Sequence, residues 1–377
     1  MMYVLAVLVL LLASPIFAQT CPTPAQLATD LDAASQAAVI SLSGVNPINC
    51  PEVSMTNTWD GGKLVFSDSP EKPTLRGRLY EDTALSYTSG TVYNRLFVYH
   101  VNGYGGSTKM KFAILLKNTS ASSGTLTLQR SGTAGPSTSY LYAGKLAFQR
   151  WLQSTATTPV TVTAGQTVRL TTAIETLASP NNLMHGIYDY SFSQNHQVTV
   201  CALNQSDDPV SVCPTLGVLS RDSHQRGTFP NADKTYDSAS GVVIDTATGV
   251  QQLPVAGNTT NDPNAVGTDA TDGSQQTLAG NYGVLYKVHL NTSATDSKKL
   301  GLLFNPRGGQ WGGAQWAVTG ITPGGKILIP DGSGSTGDNT KGAVSGKYDP
   351  GAAFTFWLQF MPTGGASFPL RFVAVPY

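Results

Sequence analysis

The chain predicts an all-β protein: two tandem, internally duplicated antiparallel β-sandwiches of jelly-roll or immunoglobulin-like type, preceded by a short helix bracketed by a disulfide. Three observations carry this expectation. Short apolar, β-branched runs alternate with Gly, Asn, Asp and Pro breaks, which is the pattern of half-buried strands and turns. Blocks of similar sequence recur in one order in the two halves. The length of 377 residues is long for one β domain and comfortable for two. Charged residues make up only 12%, and Lys+Arg and Asp+Glu are 23 each, so the surface offers no basic field for nucleic acid and no polybasic patch for a membrane. A neutral, hydroxyl- and glycine-rich surface is common among secreted β proteins.

In chain order, residues 1–18 read as a secretory signal: an apolar run from Tyr3 to Ala13, a Ser14-Pro15 break and cleavage after Ala18. No Lys or Arg precedes the run, and an uncleaved anchor is the rival reading. The run is shorter than the ~20 apolar residues a span needs, and no transmembrane segment is expected after its removal. Residues 19–50 hold the helical segment. "TPAQ" (Thr23 to Gln26) has a capping-box form with Pro24 at the first helical position, Leu27, Leu31, Ala34 and Ala38 share a face, and Gly44 is the stop. Cys21 and Cys50 flank this segment, and Cys201 and Cys213 flank a polar loop. Pairing by neighbours, Cys21 with Cys50 and Cys201 with Cys213, is one of three possible connectivities. None of the spacings suits zinc, so disulfides in an oxidising compartment are expected.

Past Pro51 the chain reads as strands, among them "KLVFSD", "NRLFVYHVN", "KMKFAILLKN", "HQVTVCAL", "GVLYKVHLN", "LGLLFN", "QWAVTG", "AFTFWLQF" and "LRFVAVP". "KLAFQRWLQ" (Lys145 to Gln153) is the one helical interruption, with Phe148, Trp151 and Leu152 on one side. The first sandwich is placed at 51–203, a linker at 204–211 and the second sandwich at 212–377.

The duplication rests on four blocks. "YNRLFVYHVN" from Tyr93 aligns without a gap on "YGVLYKVHLN" from Tyr282. "RG" at Arg76 and Arg226 precedes it, "ILLKN" ending at Asn118 and "GLLFN" ending at Asn305 follow it, and "TAGQTVRL" (Thr163 to Leu170) is set against "DPGAAFTFWL" (Asp349 to Leu358). The alignment pairs His100 with His289 and Asn102 with Asn291. Residues held in both halves read as devices of the strand, the imidazole bonded to backbone and the Asn closing the next turn. The five histidines, His100, His185, His196, His224 and His289, show no spacing that sets two ligands on one strand face or helix turn. No "GxSxG" elbow occurs. Asp269 and Asp272, and Asp331 and Asp338, could offer oxygens to calcium but match no established calcium loop, so no cofactor is expected.

The ordered blocks "LRGRLYED", "YNRLFVYHVN", "FAILLKN", "RGTFP", "AGNYGVLYKVHLN" and "LGLLFN" resemble an uncharacterised family of exported bacterial tandem β-domain proteins. The resemblance covers most of the chain after about Val53 and implies an envelope, periplasmic or extracellular location. It implies no catalytic residue.

A secreted or envelope-associated noncatalytic binding or structural protein is therefore expected, with a polysaccharide or envelope component as partner. The alternatives are a polysaccharide-active hydrolase or lyase, and a periplasmic metal-handling protein. The candidate ligand site is "NPRGGQWGGAQW": Asn305, Arg307, Trp311, Gln315 and Trp316. Indole faces stack on sugar C–H faces while planar polar groups take hydroxyls. The corresponding stretch of the first half, "NTSASSGTLTLQR", has no aromatic residue, so its fold does not need one there.

Overall fold

Alternation of side chains along each strand decides how the layers stack. The computed structural model describes residues 21–87, 92–305 and 340–377 in full, and the backbone alone at 306, 313–319 and 325–329. The expected signal at 1–18 lies outside the described residues. In sequence order, one sandwich uses strands Leu64–Ser67, Gly77–Leu85, Asn94–Val101, Met110–Asn118, Gly124–Ser137, Val160–Val162, Thr167–Thr171, Leu183–Phe192 and His196–Asn204. The other uses Asp233–Ser238, Gln251–Val255, Leu285–Ser293, Leu300–Pro306, Gly313–Thr319, Gly325–Ile329, Lys341–Tyr348, Phe354–Phe360 and Leu370–Pro376. In both sandwiches one sheet runs first, third, eighth, fifth, sixth, and the facing sheet runs second, ninth, fourth, seventh. Pairing is antiparallel except where a strand returns to the same sheet after visiting the facing one. Leu64–Ser67 runs parallel to Asn94–Val101, and Asp233–Ser238 and Ile244–Asp245 run parallel to Leu285–Ser293.

Strand pairing crosses the 204–211 segment in both directions. Met55–Asp60, which directly precedes the first sandwich, pairs with Asp233–Ser238 of the second. Arg226–Phe229, which directly precedes the second, pairs with Leu64–Ser67 of the first. Ala265–Thr268 and Gln275–Leu278 extend that same sheet, and Val39–Ser41 adds an edge to the second sandwich. One apolar core consequently runs from Phe66, Phe97 and Trp151 through Phe229 to Tyr286, Phe360 and Phe372. Arg95 seals the junction: it is buried, donates to both carboxylate oxygens of Asp189 at 2.8 and 3.1 Å, and reaches the Ala232 and Gly283 carbonyls and the Asp233 carboxylate across the boundary.

Both disulfides join neighbours, Cys21 to Cys50 and Cys201 to Cys213. Each ties down a segment that covers the outer face of a sheet. Leu27, Leu31, Leu42 and Val45 pack on Leu303, Val344, Val373 and Val375 of the second sandwich. Val210, Val212 and Leu216 pack on Ala113, Leu115 and Leu203 of the first.

The helices differ from expectation. The N-terminal helix spans only Ala25–Ala33, with Pro24 at its N-cap; Ala37 adopts a φ of 65° and β-branched Val39 and Ile40 go to the edge strand. The longer helix is Tyr140–Gln153, which starts well before Lys145 and buries Ala143, Ala147, Phe148 and Trp151 against the first sandwich's outer face.

The repeat also needs correction. Leu96 and Val98 point into the first sandwich's core, and His100 with them, stacked on Phe112. In the second, Tyr286, Val288 and Leu290 point into the core while Lys287, His289 and Asn291 are the half-buried outward positions. The gap-free alignment matches letters but shifts the register by one residue, which exchanges the two faces. His100 and His289 therefore occupy different environments. "ILLKN" and "GLLFN" do lie on corresponding fourth strands, but Arg76-Gly77 opens the first sandwich's second strand whereas Arg226-Gly227 lies in the exchanged strand. Thr163–Leu170 enters the seventh strand and Asp349–Leu358 the eighth.

Candidate functional site

A cleft of about 470 Å³ opens where the two sandwiches meet. Its first side is built by the turn that follows Leu64–Ser67. The sequence "DSPE" (Asp68 to Glu71) leaves a fully buried strand and must satisfy its backbone locally. His100 does this from the adjoining strand: its Nδ1 lies 2.9 Å from the Pro70 carbonyl and its Nε2 2.9 Å from the Ser67 hydroxyl. A carbonyl only accepts, so Nδ1 carries the proton and Nε2 accepts from Ser67. Burial holds this imidazole neutral, with its pKa pushed down to about 3. Val101 N–H donates to the Glu71 carbonyl at 2.7 Å, and Arg226 donates to the carbonyls of Leu79, Leu219 and Ser69. His100 thus braces an acidic turn.

The second side comes from beyond the linker. Asp222 accepts from the Ser69 hydroxyl and the Glu71 N–H, both at 2.9 Å. His224 bridges Glu71 and Asp222, with each ring nitrogen 3.1 Å from a carboxylate oxygen. Burial raises the Asp68 pKa well above the ordinary carboxylate range, and the charges of Glu71 and Asp222 add to the shift. Asp68 Oδ1 is shut off from solvent without a hydrogen-bond partner. Glu71 is raised by burial, an effect its contact with His224 only partly offsets. Burial also pushes Asp222 up, but the bonds from His224, Glu71 and Ser69 outweigh it and leave this carboxyl below its usual range.

The walls are aromatic. Phe66 stacks on Phe97 at 4.8 Å, Tyr99 lies beside them, and half-buried Tyr282 meets Phe368 edge-on at 5.0 Å. Tyr282 donates its hydroxyl to the Ala366 carbonyl. Gly364 lets this wall close, since a Cβ there would lie 2.2 Å from the Tyr99 ring.

The sequence-derived candidates fall elsewhere. Arg307 and Trp311 lie outside the described residues, and Gln315 and Trp316 lie on the Gly313–Thr319 strand, of which only the backbone is described. Asn305 is buried and donates to the Lys341 carbonyl at 2.6 Å, a position that ties two strand ends together. Asn102 closes its turn as expected, accepting from Tyr104 N–H at 2.8 Å and donating to Thr108 and Ala178 carbonyls. Asn291 instead accepts from Thr355 on the next strand, and His289 pairs with Asp237 and packs on Trp357. Asp269 is buried and bonded to Arg226 and Thr271, and Asp272 is bonded to Ser274. Asp331 and Asp338 lie outside the described residues. Among the described residues no group of three or more His, Cys, Asp or Glu could hold a metal ion. Asp68, Glu71, His224 and Tyr282 were not singled out by sequence reasoning. The only trace was a Pro-containing acidic turn directly after an apolar strand, and "GNYG", which contains Tyr282.

No protein-family model matches the chain, and no curated protein matches it. Among solved structures the chain is similar to the CUB1-EGF-CUB2 domain of human MASP-1/3, at 8% identity and a TM-score of 0.20, over 80% of this chain and 98% of that one. It is also similar to the PBSX exported protein XepA, at 12% identity and a TM-score of 0.15, over 89% and 88% of the two chains. Similarities this low support no transfer of function.

Proposed function

We propose that this chain is an exported, noncatalytic saccharide-binding protein whose ligand occupies the cleft between the sandwiches. The observation that carries the reading is the combination in one cleft of Tyr282 and Phe368 on the wall with Asp68, Glu71 and His224 at the polar end. A pyranose presents an apolar C–H face and a rim of hydroxyls, and such a wall and rim match it. Export is supported by two disulfides, which persist in oxidising compartments, and no helix among the described residues is long and apolar enough to cross a membrane. An origin by duplication is supported by the shared strand order of the two sandwiches. The test is binding to an array of bacterial and plant glycans. Tyr282→Ala is expected to abolish the signal while lowering the thermal midpoint only slightly, and a wild-type protein that binds nothing on the array refutes the reading.

One observation favours hydrolysis as a second reading. The raised carboxyl of Asp68 beside that of Glu71 is the kind of pair that can protonate a glycosidic oxygen and activate water. Release of reducing ends from whichever glycan binds, lost in Asp68→Asn, would establish it.

A further inference from the structure

The cleft is short of positive charge. Its lining contains Asp68 and Glu71 but no lysine or arginine, and the basic groups nearest them are already engaged. Lys72 donates to Asn181 Oδ1 at 2.6 Å. Arg226 is taken up by Asp269, Thr271 and three carbonyls. His224 is shared between Glu71 and Asp222. Asp68 Oδ1, enclosed and unpartnered, still lacks a donor. A buried acceptor without a donor is unfavourable, and a donor brought to that carboxyl by a ligand relieves it.

We propose that the saccharide bound in this cleft is cationic, an oligosaccharide of free amino sugars whose ammonium sits at the Asp68 and Glu71 carboxyls while its ring lies on Tyr282 and Phe368. This rests on the saccharide reading above and narrows it. A hydroxyl would supply one donor but leave two neighbouring carboxyls uncompensated. An ammonium brings three donors and the missing charge, and it gains further attraction over aromatic faces. Acetylation of the amine removes the charge and adds bulk at the enclosed end.

A pH signature follows. The groups facing the two carboxyls are Asp222 and His224 from the 222–225 segment, Lys72 from the turn itself, Tyr99, Tyr140 and Tyr282. In the free cleft Asp68 and Glu71 hold their protons above the usual carboxylate range. An ammonium favours the ionised forms, so binding releases protons and weakens as pH falls.

The test is calorimetric titration of the whole exported protein with a glucosamine tetrasaccharide and with its fully N-acetylated counterpart. It is run at about pH 6, where an amine of ordinary pKa is protonated, in two buffers of different ionisation enthalpy. The free-amine ligand is expected to bind at least about tenfold more tightly, about 1.4 kcal/mol, with proton release. Glu71→Gln and, independently, Asp68→Asn should each erase most of that preference, and Tyr282→Ala should weaken both ligands. Equal binding, or a preference for the acetylated ligand, overturns the cationic assignment and leaves the saccharide reading standing. If neither ligand binds while another glycan does, only this inference falls; if no glycan binds, both fall.

Discussion

His185 offers a direct measurement of how dry the junction is. It lies on the Leu183–Phe192 strand, buried, with its ring edge-on to Phe97 at 4.7 Å and to Tyr99 at 5.4 Å. Nδ1 donates to the Val98 carbonyl at 2.8 Å, while Nε2 is enclosed without a hydrogen-bond partner. Burial lowers its pKa from 6.5 to about 4. The unfolded chain takes up a proton near the ordinary value and the folded chain does not, so stability is full above that value and is lost as pH falls toward the folded one. Between about pH 8 and about pH 5 the linkage relation gives a loss of about 2 kcal/mol from this residue alone. His185→Leu removes the titration together with one hydrogen bond worth about 1 kcal/mol. The variant should therefore be less stable than wild type by about 1 kcal/mol near neutrality and more stable by a similar amount at about pH 5. Urea unfolding followed by tryptophan fluorescence across this range measures both curves. His100, His196, Asp68 and Glu71 titrate in both proteins and cancel in the difference. Parallel curves would refute the reasoning, because they would mean that His185 is hydrated or charged in the folded protein.

Four further outcomes are expected. Arg95→Ala leaves Asp189 and Asp233 without their buried partner and should cost about 3–5 kcal/mol in denaturant unfolding. A loss under about 1 kcal/mol would show the ion pair to be solvated. At Gly301 a Cβ would lie 2.4 Å from the Leu31 side chain, so Gly301→Val should cost about 1–3 kcal/mol and expose the N-terminal helix to proteolysis. Replacing both Cys201 and Cys213 by Ala opens a loop with a sequence separation of 12 and should lower stability by about 3 kcal/mol. Peptide mapping without reductant should recover the two neighbour pairs and no crossed species.

Strands were legible where apolar, β-branched and aromatic residues run or alternate between Gly, Asn, Asp and Pro breaks, as in Leu64–Ser67, Asn94–Val101 and Leu370–Pro376. Leu183–Phe192 was missed because His185, Gly186, Asp189 and Ser191 interrupt its apolar residues, so neither a continuous apolar run nor a clean alternation marks it. Lys341–Tyr348 was missed because its glycines read as loop. The internal match was visible in letters, but faces are set by register, which a gap-free alignment of a decapeptide cannot see. The cleft was the least legible feature. It draws on residues 66–71, 97–99, 223–225, 279–282 and 364–368, brought together only by the packing of one half on the other. His100 was read as a strand device from its match to His289, and its place beneath the acidic turn became clear only from its two bonds.

The exchanged strands have a consequence for how the chain is made. The pairing of Asp60 with Asp233 spans nearly half the polypeptide, and that of Ser67 with Arg226 is comparably distant. While the first half emerges, Leu64–Ser67 has an open edge and Met55–Asp60 has no sheet to join. An open edge invites pairing with another chain until its own partner arrives. The first sandwich matures only when the second delivers Arg226–Phe229, so a protein released at residue 211 would be a half-closed clasp, prone to catch its neighbours.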